Sequence, residues 1–237
     1  MDNSWEERTP PDAARVAART IVLSAVTCRG MLEFDDDKGL AEKRRRAMCG
    51  WLEEVGAAHE LEDGENLLIR TPIGQLKRQE IIDAVWQAEG MFVLGWSLGR
   101  FELLRYDEQR DPFDIASSVG FLSDRSTTVL EKPSLRRREE IAHWANTYLT
   151  IHWRLRQHSI DPAPLDFEGY VSRCTWGPLT LAEVDLIEGD LAVRGKRIDR
   201  ISEDWSRTAQ SIAVERHKAF NWLLGFEPVY SEVSTDT

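Results

Sequence analysis

Residues 78–104 read RQEIIDAVWQAEGMFVLGWSLGRFELL, and this stretch decides the fold class. The GWSLG segment at 95–99 matches the G-x-S-x-G pattern of the serine hydrolase nucleophile elbow, which requires a strand, a tight turn and then a helix. The side chains before it instead recur at three and four residues, the spacing of one helix face. This stripe contains Ile82, Val85, Trp86, Glu89, Val93 and Trp96. We therefore predict a helix that ends at Gly99 as its C-cap, and a Ser97 that is structural and not catalytic.

The same periodicity predicts most of the chain to be helical. We expect helices in residues 9–32, 40–61, 111–122 and 163–178, a long helix from about Ser134, and a last helix capped by Ser202 and closed by Gly225. The exception is VDLIEGDLAVRGKRID at 184–199, whose short apolar pieces are separated by Glu-Gly and Gly-Lys. The fold class is therefore mainly α: a single compact multi-helix domain with one small β-hairpin or meander near residues 184–200.

The domain organisation follows from where this pattern starts and stops. Residues 1–10 are polar and acidic, so we expect a flexible N-terminal arm. Residues 11–226 carry the helical pattern without a repeat or a low-complexity linker, which predicts a single helical domain. Residues 227–237 hold several acids and follow a predicted helix end, so we expect an acidic C-terminal tail.

The overall charge limits the class of partner. The 237 residues carry a formal net charge of −11, with a sequence pI of about 5.0. Because phosphate contacts dominate affinity for nucleic acids, an acidic chain is a poor nucleic-acid binder. Two basic runs, at 43–46 and 136–138, are each flanked by acids, and we interpret them as solvated helix faces. We therefore expect no nucleic-acid partner.

The cysteines and the N-terminus bear on the compartment. Cys28, Cys49 and Cys174 are odd in number and form no C-x-x-C pair, which favours a reducing environment over a disulfide framework. The first residues lack the basic and apolar regions of a secretory signal, and no apolar run approaches the ~20 residues of a membrane span. We therefore expect a cytoplasmic protein with no membrane partner.

Several motifs, taken in chain order, resemble one protein family. They are TPIGQL (71–76), WQAEGMFVLGWSLGRFELLRYDEQRDP (86–112), IHWRLRQ (151–157), GDLAVRGKRI (189–198), ERHKAFNWLLG (215–225) and SEVSTDT (231–237). In this order they resemble the bacterial family called domain of unknown function 4272 (DUF4272), from about Arg15 to the C-terminus. The resemblance implies a mostly helical cytoplasmic protein, and it brings no activity, substrate or catalytic residue.

Three predicted helices each place one polar side chain in an apolar stripe. These are Glu89, His152 and Arg216. Because isolated buried charges are unfavourable, we predict that Glu89 pairs with Arg216, with the other candidates nearby or at the edge of the cluster. The full candidate set is Glu89, His152, Arg216, Glu215, His217 and Asn221.

Three interpretations of this cluster stay open. It is a polar pocket that binds a small anion or performs acid–base chemistry, a buried salt bridge that fixes helix packing, or a metal site built from two imidazoles and a carboxylate. We favour the structural interpretation. The metal interpretation is the weakest, because Glu140 and His143 supply only one of the two Glu-x-x-His motifs of helical di-iron proteins. We assign no metal to the cluster.

The sequence does not indicate one function, and it favours a non-enzymatic protein over an enzyme. Phosphate-binding glycine loops are missing from it, and we expect no cofactor. Our first hypothesis is a non-enzymatic protein-interaction module whose acidic surface binds a basic protein partner. The alternative is a small-anion-binding protein or enzyme that uses the Glu/His/Arg cluster. The sequence indicates no oligomeric state.

Overall fold

The structure is a computed structural model, and it describes residues 9–122 and 127–237. Residues 1–8, most of the predicted N-terminal arm, lie outside the described residues. The helices are α1 (Ala13–Met31), α2 (Lys38–Glu54), α3 (Asp63–Arg70), α4 (Arg78–Ser97), α5 (Pro112–Ser118), α6 (Thr127–Leu130), α7 (Arg138–Ile160), α8 (Phe167–Arg173) and α9 (Glu203–Leu223). The strands are β1 (Leu186–Ile187), β2 (Asp190–Val193) and β3 (Lys196–Arg197). They form an antiparallel meander in the order β1-β2-β3. The predicted mainly-α class and the small β element are confirmed.

Four helices form the body of the molecule. Helix α4 packs against α1 on one side and α9 on the other, and α9 also packs against α7. Residues 16–30 of α1 are buried without interruption, although the sequence predicted a single apolar face. Alanine, serine and glycine along this helix allow neighbours to approach closely: a Cβ added at Gly30 would lie 3.0 Å from a Val85 side-chain carbon. Helix α1 is therefore the central element of the core.

The end of α4 explains the GWSLG segment. The helix continues through Ser97, whose side chain is fully buried and donates its hydroxyl to the Leu94 carbonyl oxygen at 2.7 Å. Gly99 has φ +70° and donates to Trp96 O, while Arg100 N donates to Gly95 O at 2.9 Å. These two bonds are the Schellman motif that ends many helices. The helical interpretation of the segment is confirmed.

Gly95 is required by close packing. A Cβ added there would lie 2.2 Å from a ring carbon of Phe101, which folds back over the helix end. The two glycines of GWSLG therefore serve different purposes. Gly99 provides the left-handed backbone at the cap, and Gly95 leaves room for an aromatic ring.

The long helix begins later than the sequence predicted. Helix α7 starts at Arg138 and not near Ser134. The preceding residues run along the end of α4, where Arg136 donates its backbone N–H to Ser97 O at 2.8 Å and its Nε to Trp96 O at 2.9 Å. Carbonyl oxygens at a helix C-terminus lack intrahelical partners and carry partial negative charge. Arg136 supplies those partners, so this segment remains extended.

The residues from 227 onward lie against the helical body. Tyr230 and Val233 are buried, and a short 3₁₀ helix spans Tyr230–Glu232. At the other end of the chain, Thr9 and Pro10 lie against Gly225: a Cβ added at Gly225 would lie 2.7 Å from Pro10 N. The acidic segment that we predicted as a tail thus contributes side chains to the core. Among the described residues, no helix combines the length and the apolar character needed to cross a membrane.

Candidate functional site

Three consecutive residues of α9 point into three different environments. Neighbouring residues on an α-helix are rotated by ~100° about its axis. Glu215 faces a recess between α4 and α9, Arg216 faces the core, and His217 faces a cleft beside α7. The six candidate residues therefore do not form one cluster, as the sequence had suggested, but divide among three places.

Arg216 and Glu89 form the pair that the sequence predicted. The Nε and Nη2 atoms of Arg216 each lie 2.7 Å from Glu89 Oε2, and both side chains are almost completely buried. Burial raises the pKa of the Glu89 carboxyl, and the adjacent Arg216 opposes that rise. The contact joins α9 to α4 in the interior of the molecule.

The remaining donors of Arg216 are also occupied. Its Nη1 donates to Tyr148 Oη at 2.7 Å and to Arg105 O at 3.0 Å, and its Nη2 donates to Glu108 O at 2.6 Å. A guanidinium has five N–H donors, and these contacts with those to Glu89 use all of them. Arg216 thus connects α4, α7, α9 and the loop after α4, and no donor remains for a bound anion.

His152 and His217 form a second pair, separate from the first. Their Nδ1 atoms lie 3.1 Å apart between α7 and α9, and both side chains are buried. Burial lowers the pKa of His152 to about 4 and that of His217 to about 3. The nearby Arg156 guanidinium adds to the effect on His152, and His152 adds to the effect on His217. Both imidazoles are therefore neutral at pH 7.

A cleft of about 300 Å³ opens beside this pair. It is lined by Ala145, Asn146, Leu149, Trp176, Gly177, Pro178, His217, Asn221, Leu224, Phe226, Ser234 and Asp236. Asn221 donates its Nδ2 to Ser234 O at 3.1 Å, which holds the acidic C-terminal segment against α9. The cleft therefore combines a polar floor from α9 with mainly apolar walls.

Glu215 lies in a smaller recess of about 200 Å³ between α4 and α9. The recess is lined by Gln79, Ile82, Asp83, Trp86, Gln210, Ser211, Val214 and Glu215. Among the described residues, neither Glu215 Oε2 nor Gln210 Oε1 has a hydrogen-bond partner, although both atoms are buried. Burial raises the pKa of Glu215; Lys218 opposes this, while Asp83 and Glu89 add to it.

Two groups of buried or recess-lining polar residues were not among the candidates predicted from the sequence. Asp83 and Gln210 line the recess, and the first is on the same helical stripe as Ile82 and Trp86, so this signal was present. Arg154 and Asp190 form a completely buried bidentate pair between α7 and β2, with both contacts at 2.7 Å. Residues 154 and 190 lie in different elements and share no sequence spacing, so this ion pair could be identified only from the structure.

The metal interpretation finds no support in the geometry. In residues 9–122 and 127–237, no group of three or more His, Cys, Asp or Glu side chains is arranged to hold a metal ion. Within the described part of the chain, no carboxylate joins His152 and His217 to complete a metal site. Glu140, one of the two residues of the Glu-x-x-His motif, instead accepts a hydrogen bond from Arg136 at 2.9 Å.

Comparison with known proteins identifies the family. Residues 3–171 match the family described as a domain of unknown function (DUF4272), and the chain belongs to it. The match includes Glu89 and His152 and ends before the β-meander and α9, whereas the sequence resemblance was extended to the C-terminus. No curated protein and no solved structure matches the chain significantly.

Proposed function

We propose that the protein is a non-enzymatic, cytoplasmic interaction module of a bacterium, and that it binds a basic segment of a protein partner. The observation that carries the proposal is Glu215, a buried carboxylate whose Oε2 has no hydrogen-bond partner among the described residues and which faces the α4–α9 recess. An unpaired buried acceptor is unfavourable until a water, an ion or a ligand group donates to it.

The chemistry of the recess favours a cation. Glu215 Oε2 and Gln210 Oε1 are acceptors that require donors, and an ammonium or guanidinium group supplies several at once. Asp83 adds a second carboxylate, which is positioned by a hydrogen bond of 2.7 Å from Gln79 Nε2 to its Oδ1. Trp86 contributes an indole, the aromatic group that binds cations best. A lysine or arginine side chain would supply positive charge and N–H donors to the carboxylates and the indole that line this recess.

The size of the recess favours a side chain over a free metabolite. Small-molecule pockets commonly have volumes of ~300–1,000 Å³. The recess has a volume of about 200 Å³, which suits one side chain presented by a partner. The net charge of −11 attracts a basic partner over long distances and accelerates its association.

The residues that suggested chemistry support the same conclusion. Every N–H donor of Arg216 is engaged in contacts that join structural elements, so this residue cannot bind an anionic substrate without breaking the core. Ser97 is buried and bonded within its own helix. The small-anion alternative is therefore not the one that we propose.

Binding of lysine-rich and arginine-rich peptides tests the proposal. We would titrate the full chain by calorimetry with such a peptide and with an acidic peptide of equal length. We expect the basic peptide to bind, with an affinity that falls as salt rises. Glu215→Gln should weaken binding at least ~10-fold, the equivalent of ~1.4 kcal/mol. Asp36→Asn, which removes an equal charge from an exposed turn, should leave it unchanged.

Two outcomes would contradict the proposal. One is the absence of basic-peptide binding even at low salt. The other is equal weakening by Glu215→Gln and Asp36→Asn, which would mean that net charge and not the recess controls binding.

A further inference from the structure

The cleft beside the histidine pair is a second site, independent of the recess. It lies on the α7 side of α9, whereas the recess lies on the α4 side, and the two share no lining residue. We infer that this cleft binds a small, planar, uncharged molecule with a carboxamide edge. Neither the family match nor the proposed binding of a basic partner assigns a role to it.

The charge of the lining excludes an anion. Its described residues include no arginine or lysine, and Asp236 places a carboxylate among them. Burial keeps His217 and its neighbour His152 neutral at pH 7. A bound anion would therefore lie against a carboxylate and neutral groups, with no arginine or lysine in the described lining to compensate its charge, which is unfavourable in a partly desolvated cleft.

The polar floor combines the Asn221 amide with the His217 imidazole. Asn221 donates its Nδ2 to Ser234 O, which leaves its carbonyl oxygen Oδ1 as the acceptor of that side chain. In the short Nδ1–Nδ1 contact between the histidines, one ring must donate and the other accept. When His152 donates, His217 carries its proton on Nε2 and becomes a donor. A carboxamide then accepts from His217 through its oxygen and donates to Asn221 through its nitrogen.

The walls favour a flat, apolar body. Leu149, Pro178 and Phe226 contribute apolar surface, and Trp176 contributes an indole that is 50% exposed. Trp176 is held in place because its Nε1 donates to Tyr170 Oη at 2.9 Å. A fixed aromatic wall reduces the entropy lost on binding. The volume of about 300 Å³ lies at the lower end of the range for small-molecule sites.

Three ligands of one shape test the inference: benzamide, benzoate and benzamidine. They are uncharged, anionic and cationic, respectively, at pH 7. We would titrate each into the full-length protein and follow the side-chain ¹⁵N and ¹H resonances of His217 and Asn221. We expect benzamide to shift both residues and to bind at least ~10-fold more tightly than benzoate, a difference of ~1.4 kcal/mol. The His217 ring should also show the Nε2–H tautomer.

Two variants separate binding from folding. His217→Phe retains an aromatic ring but removes the proposed donor, and Trp176→Leu removes one wall of the cleft at a half-exposed position. Both should weaken benzamide binding at least ~10-fold. The control His59→Phe changes a histidine that does not line the cleft, and it should leave the binding unchanged. Benzoate binding as tight as benzamide binding, or benzamide binding unaffected by Trp176→Leu, would overturn the inference. So would a lack of shifts at His217 and Asn221 with all three ligands.

Discussion

Glu215 and Arg216 are adjacent in the chain, yet their surroundings differ in kind. Every N–H donor of Arg216 has a partner in the core, whereas Glu215 Oε2 has none among the described residues and the side chain faces a recess. The helical rotation of ~100° per residue produces this difference without any change in the backbone. The comparison teaches that a buried charge can be interpreted as structural or functional only after its hydrogen-bond partners have been counted. By that criterion Arg216 is structural. Among the described residues Glu89 Oε1 also lacks a hydrogen-bond partner, so Glu215 is the candidate for binding because its side chain lines a recess.

The largest expected effect is at the centre of the core. Arg216→Met retains much of the apolar stem but leaves Glu89 buried without its cation. Breaking a buried pair in this way is strongly destabilising, so we expect a loss of ~3–5 kcal/mol in the free energy of unfolding, measured with denaturant. Arg207→Met is the control on the same helix, since its partners Glu203 and Asp204 are exposed, and it should lose less than ~1 kcal/mol.

A smaller effect is expected from pH. The pKa values of His152 (about 4) and His217 (about 3) lie below the ordinary value of 6.5. At a pH between the folded and the ordinary value, the unfolded chain therefore binds more protons than the folded protein. The contribution of the neutral imidazoles to the free energy of unfolding is therefore fully present above pH 6.5, and it is lost as the pH falls toward 4. Each imidazole contributes a slope of up to ~1.4 kcal/mol per pH unit.

Denaturant unfolding at about pH 7 and about pH 5.5 checks this slope. The two histidines together predict a loss of ~2 kcal/mol between these conditions. In His217→Phe the loss should shrink by ~1 kcal/mol, because one titrating imidazole is gone while His152 and His158, whose pKa values burial also lowers, remain. An unchanged loss in that variant would show that other groups cause the pH dependence and that the pair is not neutral as described. His59→Phe serves as the control.

The smallest expected effects concern glycines. Gly95→Ala places a methyl group against the Phe101 ring, which must move, and should destabilise the protein by ~1–3 kcal/mol. Gly50→Ala lies in the interior of α2 with no atom within 4 Å of the added methyl group, and should stabilise it by ~0.5–1 kcal/mol. Thermal unfolding of both variants measures the difference. Equal shifts in Tm would mean that the Phe101 packing contributes nothing.

Much of the fold could be predicted because its signals are local. The three-and-four spacing of apolar residues predicted α4 through GWSLG, and Ser202 and Gly225 marked the ends of α9. The predicted start of α7 near Ser134 was wrong. Arg136 instead caps the end of α4, and this contact depends on tertiary structure. Local patterns thus determine which elements form, and contacts between elements determine where some of them begin.

The candidate site was only partly predictable for the same reason. The Glu89–Arg216 pair followed from a general rule, because a charge in an apolar stripe requires a partner. The pairing of His152 with His217, and not with Arg216, depends on how α7 and α9 are rotated about their axes. No spacing within one helix contains that information. The recess was missed because its two walls come from helices that are more than 100 residues apart in the chain.

One substitution made at two positions tests the central claim most directly: Glu89→Gln and Glu215→Gln, each compared with wild type by the free energy of unfolding. Both remove one negative charge and preserve the shape of the side chain. We expect a loss of ~3–5 kcal/mol at Glu89, where Arg216 is left uncompensated, and no loss or a gain at Glu215, where the charge is not retained for folding. Equal losses at both positions, or a larger loss at Glu215, would contradict this expectation.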